Sequence, residues 1–436
     1  MAPPDQAMPP LLARRPILRI VEQHAEDVAH LWQLRDQAVH GPHHDLASLA
    51  TLEDRLGASI EGTLVAGEVG RQALAEAETV STASGVFALA VHAALSERER
   101  IDWWQATVAL AALGPEPARG LAAALGWMSA AAAADRIQAL AAMEAPWLRR
   151  ASVAASAMHG TATRSSLEVA LGDVQPMVVK RALRAVGELG QRALLGRVLA
   201  LGRSEDGETA FWAAHSGCLL GELRSAGRLP ELAGAGGPLA PRALGLALLV
   251  SRSDRGEQLL AASAGKAATA RVASAAAPGL GTPWTIELLI AQMSDPALAR
   301  LAGDSFAIIT GAELSVNKLE GVAPGDFASG PTDDPADEDV ALDPDEGLSW
   351  PDRDAVQQWW KKESKRFSRS ERYLGGGPIT DDAVLLEVLR TGRPRARSLA
   401  ALARTLRHPG EALFDIRAPA HRQRAALRAR PPGAPR

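Results

Sequence analysis

One cysteine, Cys218, stands in the whole chain of 436 residues, beside one tyrosine and an aromatic content of 4%. A lone thiol excludes a disulfide framework and any metal cluster built on several thiolates. Within an apolar helical segment its expected role is that of a small buried hydrophobe. Scarce aromatics, against 47% hydrophobic residues dominated by alanine and leucine, argue against a β-sandwich or barrel and for closely packed helices. No apolar run is long enough and free enough of charge to span a bilayer; even 121–134 is short and rich in small residues. The opening MAPPDQAMPPLLARRP lacks a charged leader followed by an apolar run, so a cytoplasmic chain is expected. A net charge of −4 argues against a whole-body nucleic-acid binder. Enzyme signatures are missing too. There is no Walker-type loop, the glycines at 375–377 lead into proline as a turn, and SFAIITG and SVAAS lack the glycines of a nucleophile elbow.

What the chain has in abundance is one pattern. Residues 176–190, PMVVKRALRAVGELG, read as a helix opened by Pro176, whose missing N–H is harmless in the first turn. Gly190 suits the left-handed position past its end. Val179, Ala182, Leu183, Val186 and Leu189 make an apolar stripe at three- and four-residue spacing. Windows of the same length return at 146–160, 207–221 and 267–281, spaced by 30, 31 and 60 residues, with Pro296 another 29 on. Pro241 opens a unit in the gap. The seventh residues are Ser152, Ala182, Ala213 and Ala273 and the tenth are Ala155, Ala185, Ser216 and Ala276. Small side chains there let neighbouring helices approach closely. A period near 30 predicts an all-α, HEAT-like α-solenoid, in which stacking supplies the core that no unit could bury alone. Such a stack also escapes the size limit on a single compact core.

The chain divides accordingly. Residues 1–16 are Pro-rich and expected to be disordered, and 17–70 form a helical hairpin cap with Asp45 as N-cap of its second helix. Irregular first repeats fill 71–145, including a window at 100–114, and regular repeats fill 146–319. From Glu320 to Asp354 twelve acidic residues face one arginine, so 320–349 reads as an acidic linker. Residues 350–436 form a helical region with a basic tail: eleven arginines against Glu411 and Asp415 from Thr391 onward.

The stretches IVEQHAEDVAHLWQLRDQAV, HHDLASLATLEDRL, RLAGDSFAIITGAEL, WPDRDAVQQWW, RYLGGGPIT and LFDIRAPAHRQRAAL, together with the repeats, resemble a bacterial family of HEAT-repeat proteins of unassigned activity. Members of that family are often encoded beside type VI secretion components, so the resemblance implies an accessory or adaptor role and carries over no catalytic residues. The acidic linker departs from any shared motif.

Candidate sites follow from this frame. His24, Asp27 and His30 sit at three-residue steps, with His43 and His44 beyond, but the step of six between His24 and His30 is not that of a helical metal pair, and neither metal nor cofactor is expected. The tryptophan pairs Trp103–Trp104 and Trp359–Trp360 each place one ring in the core and offer the other to a groove. If the windows are the inner helices of a curved stack, Arg149, Arg150, Lys180, Arg181, Arg184 and Arg271 form a solvent-facing positive ladder on the concave face. The expected function is then a non-enzymatic protein–protein scaffold or adaptor. Its partner would carry an acidic segment, for which the linker is an internal mimic, with Trp359 and Trp360 as further contacts. The alternative is a nucleic-acid-binding HEAT-like protein using the same ladder and the Arg-rich tail, with affinity falling steeply in salt.

Overall fold

A computed structural model describes residues 16–77, 80–96, 101–325, 327, 330 and 342–429. Residues 1–15 of the stretch 1–16 read as disordered, and the middle of the acidic linker, fall outside those residues. The described chain is all-α, with 22 α-helices and one two-stranded ribbon.

An N-terminal hairpin is formed by α1 (Leu18–Ala38) and α2 (Leu46–Val65). Asp45 caps α2 as expected, accepting from the Ala47 and Ser48 amides while the Ser48 hydroxyl accepts from the Asp45 amide. The second helix stops at Val65 rather than near Gly70, because Gly67 turns the chain into a separate helix, α3 (Glu68–Glu76).

Helix pairs follow. They are α3 with α4 (Ala83–Leu95), α5 (Ile101–Ala111) with α6 (Pro115–Trp127), and α7 (Ala130–Ala141) with α8 (Pro146–His159). Next come α9 (Arg164–Leu171) with α10 (Pro176–Glu188), α11 (Leu195–Leu201) with α12 (Gly207–Leu219), and α13 (Leu229–Gly234) with α14 (Ala240–Val250). The series ends with α15 (Ser253–Ala264) against α16 (Ala267–Ala276) and α17 (Pro283–Gln292) against α18 (Pro296–Thr310). The second helix of each pair packs on the second helix of the next, making one row from α4 to α18. The windows at 146, 176, 207, 267 and 296 are all members of this row. The window at 100–114 is not: α5 lies in the flanking layer, against α4 and α6.

Small residues at the seventh and tenth window positions sit where the row is tightest. Ala155, Ala182, Ala185 and Ala273 are fully buried. The serines that replace alanine satisfy their hydroxyls on neighbouring backbone: Ser152 donates to Ile137 O and Ser216 to Leu183 O, both at 2.7 Å. A Cβ on Gly187 would run into Ser216, so even alanine is too large there.

The C-terminal region contains α19 (Arg353–Glu363), the ribbon β1 (Tyr373–Leu374) with β2 (Gly377–Pro378), α20 (Asp382–Thr391), α21 (Pro394–Arg407) and α22 (Ala420–Arg428). It does not extend the row. It turns back and runs along the C-terminal ends of the row helices toward the N-terminal hairpin. The Gly375 and Gly376 amides donate to the Ile308 and Ile309 carbonyls of α18 at 2.8 and 3.0 Å, and the Leu413 amide to the Glu188 carbonyl of α10 at 2.8 Å. Arginines seal other ends, where the carbonyls of a last turn lack intrahelical partners. Arg372 donates to the carbonyls of Leu248, Leu249 and Ser251 at the end of α14. Arg395 donates to Ala275 O on α16 at 3.0 Å, and Arg422 to the carbonyls of Gly126, Trp127 and Met128 at the end of α6.

The glycines that close the windows have a second role here. Gly190 and Gly311 have φ of +63° and +72°, suited to a residue without Cβ. A Cβ on either would also collide with the returning chain, at Gly410 and Gly375 respectively. The return ends on the hairpin: the Ala420 amide donates to Glu53 Oε2 at 2.6 Å, and Glu53 is ion-paired to Arg35 at 3.0 Å.

Candidate functional site: an arginine-lined chamber

Between the row and the returning chain lies a chamber of about 530 Å³, adjoined by a second of about 340 Å³. The ninth residues of the four aligned windows, Ala154, Arg184, His215 and Ala275, all line one chamber or the other. The sixth residues Arg181 and Trp212 and the thirteenth residues Met158 and Glu188 do so as well. Positions six, nine and thirteen share one helix face, so the repeat that builds the stack also builds the wall. From the returning chain come Leu399, Leu402, Phe414, Asp415 and Arg417, and from the N-terminal hairpin His40.

Charge is concentrated on this wall. The two chambers are lined by nine arginines, 35, 119, 150, 181, 184, 242, 395, 417 and 422, and by three carboxylates, Asp36, Glu188 and Asp415. Glu53, Glu116 and Asp304 pair with Arg35, Arg119 and Arg395 from outside the lining. That leaves three more guanidinium charges than carboxylates.

Glu188 is the hub, accepting from Arg184 at 2.7 Å and Arg181 at 3.0 Å, with Arg417 at 3.5 Å. Burial alone would raise its carboxyl, yet Arg184, Arg181 and Arg417 hold it far below the ordinary range. Burial pushes Arg184 down to about 10, only partly offset by Glu188. The Arg184 guanidinium also lies 5.0 Å over the Trp212 ring. Arg150 and Arg242 have no hydrogen bond or ion pair with any described residue, and both are shifted down by burial, then by Arg181 beside the first and Arg417 beside the second. The His215 imidazole is pushed down to about 4, by burial first and Arg184 second, and its Nδ1 is buried without a partner. His40 is shifted down in the same way, by burial and then Arg417. Both histidines are therefore neutral at pH 7.

The expected ladder divides. Arg150, Arg181 and Arg184 reach the chambers, but not as open solvent-facing groups, since the returning chain covers them. Arg181, read from the pattern as lying off the buried stripe, has 8% of its side chain accessible. Arg149 is clamped by both oxygens of Asp173 at 2.7 and 2.9 Å. Lys180 lies 3.1 Å from Asp206 and 2.9 Å from Glu208. Arg271 is bound by both oxygens of Asp345, a residue of the acidic linker. Next to it Arg300 pairs with Asp343 at 2.7 Å and stacks on Trp350 and Phe327 at 4.9 and 5.4 Å.

Neither member of the 359–360 pair offers an open platform. Trp360 is buried against Phe367, and Trp359 is half-buried, edge-on to Phe306. Of the tail, Arg395, Arg397, Arg404, Arg407, Arg417 and Arg422 are bonded within the chain. Among the described residues no group of three or more His, Cys, Asp or Glu could hold a metal ion. His24 packs on Gly62 and His43 on Gly347.

His215, Arg242 and Arg417 escaped the sequence reading. The shared ninth position of Arg184 and His215 was a usable signal for the first. Arg242 lay in a unit off the ideal register. Arg417 had no local signal, because its place depends on the return of the chain. Among the described residues no helix is long and apolar enough to cross a membrane. Compared with protein-family models, curated proteins and solved structures, the chain matches none of them.

Proposed function

We propose that this chain is a non-enzymatic binding scaffold, a HEAT-like α-solenoid closed by its own C-terminal region, whose interior chamber holds an anionic ligand. The observation that carries this reading is the excess of guanidinium charge in the chamber, with Arg150 and Arg242 unpaired. Arg150 is half-buried and Arg242 keeps contact with solvent while lining the larger chamber, so both guanidinium groups are open to an incoming anion that would match their charge. Guanidinium groups also match carboxylate and phosphate in planar, two-pronged fashion. A volume near 530 Å³ is that of a small-molecule pocket and far too small for a nucleic-acid duplex. The chamber carboxylates Glu188 and Asp415 are held in ion pairs with arginine, which supports neutralisation rather than proton transfer as their role.

The test is thermal unfolding and calorimetry of the full chain with inorganic phosphate, pyrophosphate and citrate, at low and moderate salt. Stabilisation that saturates with anion, and that weakens in Arg242→Gln, is expected. A flat response to all three anions overturns the reading.

A second reading, an adaptor that captures an acidic segment of a partner protein, is favoured by one contact. Arg271 and Arg300 already take Asp345 and Asp343 from the chain's own acidic linker. The resemblance to proteins encoded beside type VI secretion components supports an accessory role of this kind. Recovery of secretion proteins on a tagged chain, increased by Asp345→Asn, is the expected result of a pull-down. Unchanged recovery removes the mimicry.

A further inference from the structure

The two unpaired arginines do not share a chamber: Arg242 lines the larger and Arg150 the smaller. The chambers adjoin through a common wall that includes His40, Arg181, Arg184 and Arg417. Arg150 is on α8 and Arg242 on α14, with α10 and α12 between them in the row. Three interhelical steps of 8–10 Å make roughly 24–30 Å between the outer two axes, from which the curve of the row and the inward reach of both side chains subtract. A compact anion such as phosphate cannot touch both. Along the shared wall between them Arg181, Arg184 and Arg417 are paired with Glu188 and Asp415, so their charge is largely matched within the protein, and Trp212, His215, Leu399 and Leu402 line the larger chamber beside it.

We infer that the ligand is an elongated small molecule with an anionic group at each end, one end meeting Arg242 and the other Arg150. This rests on the anion-binding reading above and adds length and two-endedness to it. The two guanidinium groups act as posts whose separation selects the ligand, and the paired arginines between them set the depth of the channel. A molecule charged at one end only would leave one post unmatched.

The experiment is a calorimetric series on the full chain with α,ω-alkane diphosphonates of increasing chain length, beside a monophosphonate of similar size. Charge is constant across the diphosphonates, so span alone varies. A length optimum is expected, at least tenfold tighter than the shortest member and than the monophosphonate. Arg150→Gln and Arg242→Gln should each abolish the length dependence, while Arg252→Gln, on an exposed residue away from the chambers, should leave it intact. Binding at one affinity whatever the length overturns the two-ended inference but leaves the anion reading standing. No binding by any member, nor by phosphate, overturns both. Should either chamber variant fail to fold, the length series on the unmodified chain still decides.

Discussion

Glu188 and Arg417 are 229 residues apart in sequence and 3.5 Å apart in the structure. The first ends a row helix and the second belongs to the chain that returns across it. Their neighbours repeat the contact in backbone terms: the Leu413 amide donates to the Glu188 carbonyl, and the Arg417 carbonyl accepts from Arg35 at 2.5 Å. Row, return and N-terminal hairpin therefore meet at Arg417, whose guanidinium faces the Glu188 carboxylate.

Removing that carboxylate leaves Arg181, Arg184 and Arg417 facing one another. Glu188→Gln should lower stability by about 3 kcal/mol, the usual loss when one partner of a buried ion pair is removed. Urea unfolding measures it. If the chamber takes anions, saturating phosphate should restore a larger share of stability in this variant than in the parent chain.

Acid should weaken the fold through its histidines. In the unfolded chain the His215 imidazole takes a proton near pH 6.5, and in the folded chain only near 4. Between those values the unfolded state binds more protons. The stability is therefore fully present above about pH 6.5 and is lost as pH falls toward 4, at up to about 1.4 kcal/mol per pH unit from this one group. His40, His92 and His159 are shifted in the same direction. Unfolding midpoints measured across this window should fall on acidification, and less steeply in His215→Gln. An anion bound beside Arg184 and Arg242 should raise the His215 value, visible by NMR titration.

Gly311→Ala tests the crossing of the return over α18. The positive φ alone costs about 1–3 kcal/mol for a residue with Cβ, and the methyl also meets Gly375. Hydrogen exchange should quicken at the Gly375 and Gly376 amides, which donate to Ile308 and Ile309. If only global stability drops, with those amides still as protected as the core, the glycine serves the helix end alone.

Arg372→Met removes the guanidinium that covers the carbonyls of Leu248, Leu249 and Ser251 while keeping much of the side-chain bulk. Bonds from charged donors contribute about 1.5–3 kcal/mol each, but these carbonyls regain water, so a net loss of about 2 kcal/mol is expected by denaturant unfolding. Arg228→Met, with two carbonyl contacts at the end of α11, is the comparison and should cost less.

Much of the stack was legible before any coordinates, because its rules are local. Pro176 and Pro146 mark helix starts, Gly190 and Gly160 mark ends, and Ala182 and Ala185 announce a close neighbour; each signal acts within a few residues. The chamber was legible in half. Arg150, Arg181 and Arg184 stood out as a spaced series, and window alignment put them on one face. That they would be covered was not legible. The cover is made by arginines bonding to backbone carbonyls, as Arg372 and Arg422 do, and every helix end offers such carbonyls whatever its sequence. A net-charge count of the tail left a phosphate-binding arm open only as the alternative, and the chain uses many of those arginines as internal fastenings. At Arg271 and Asp345 the linker does sit on one rung of the ladder, to which the sequence offered it as an internal mimic, through a two-pronged arginine–carboxylate contact.

The return of the chain also bears on how the molecule can change over generations. An open stack tolerates gain or loss of a unit, since each unit touches only its neighbours. Here one returning segment, largely helical, spans the stack, anchored at α18 by Gly375, at α14 by Arg372, at α10 by Leu413 and at α2 by Ala420. Deleting one pair would shift every later anchor by one unit against a strap of unchanged length. The number of units is thus counted by the strap, and relatives with more or fewer pairs should carry a return segment lengthened or shortened in step.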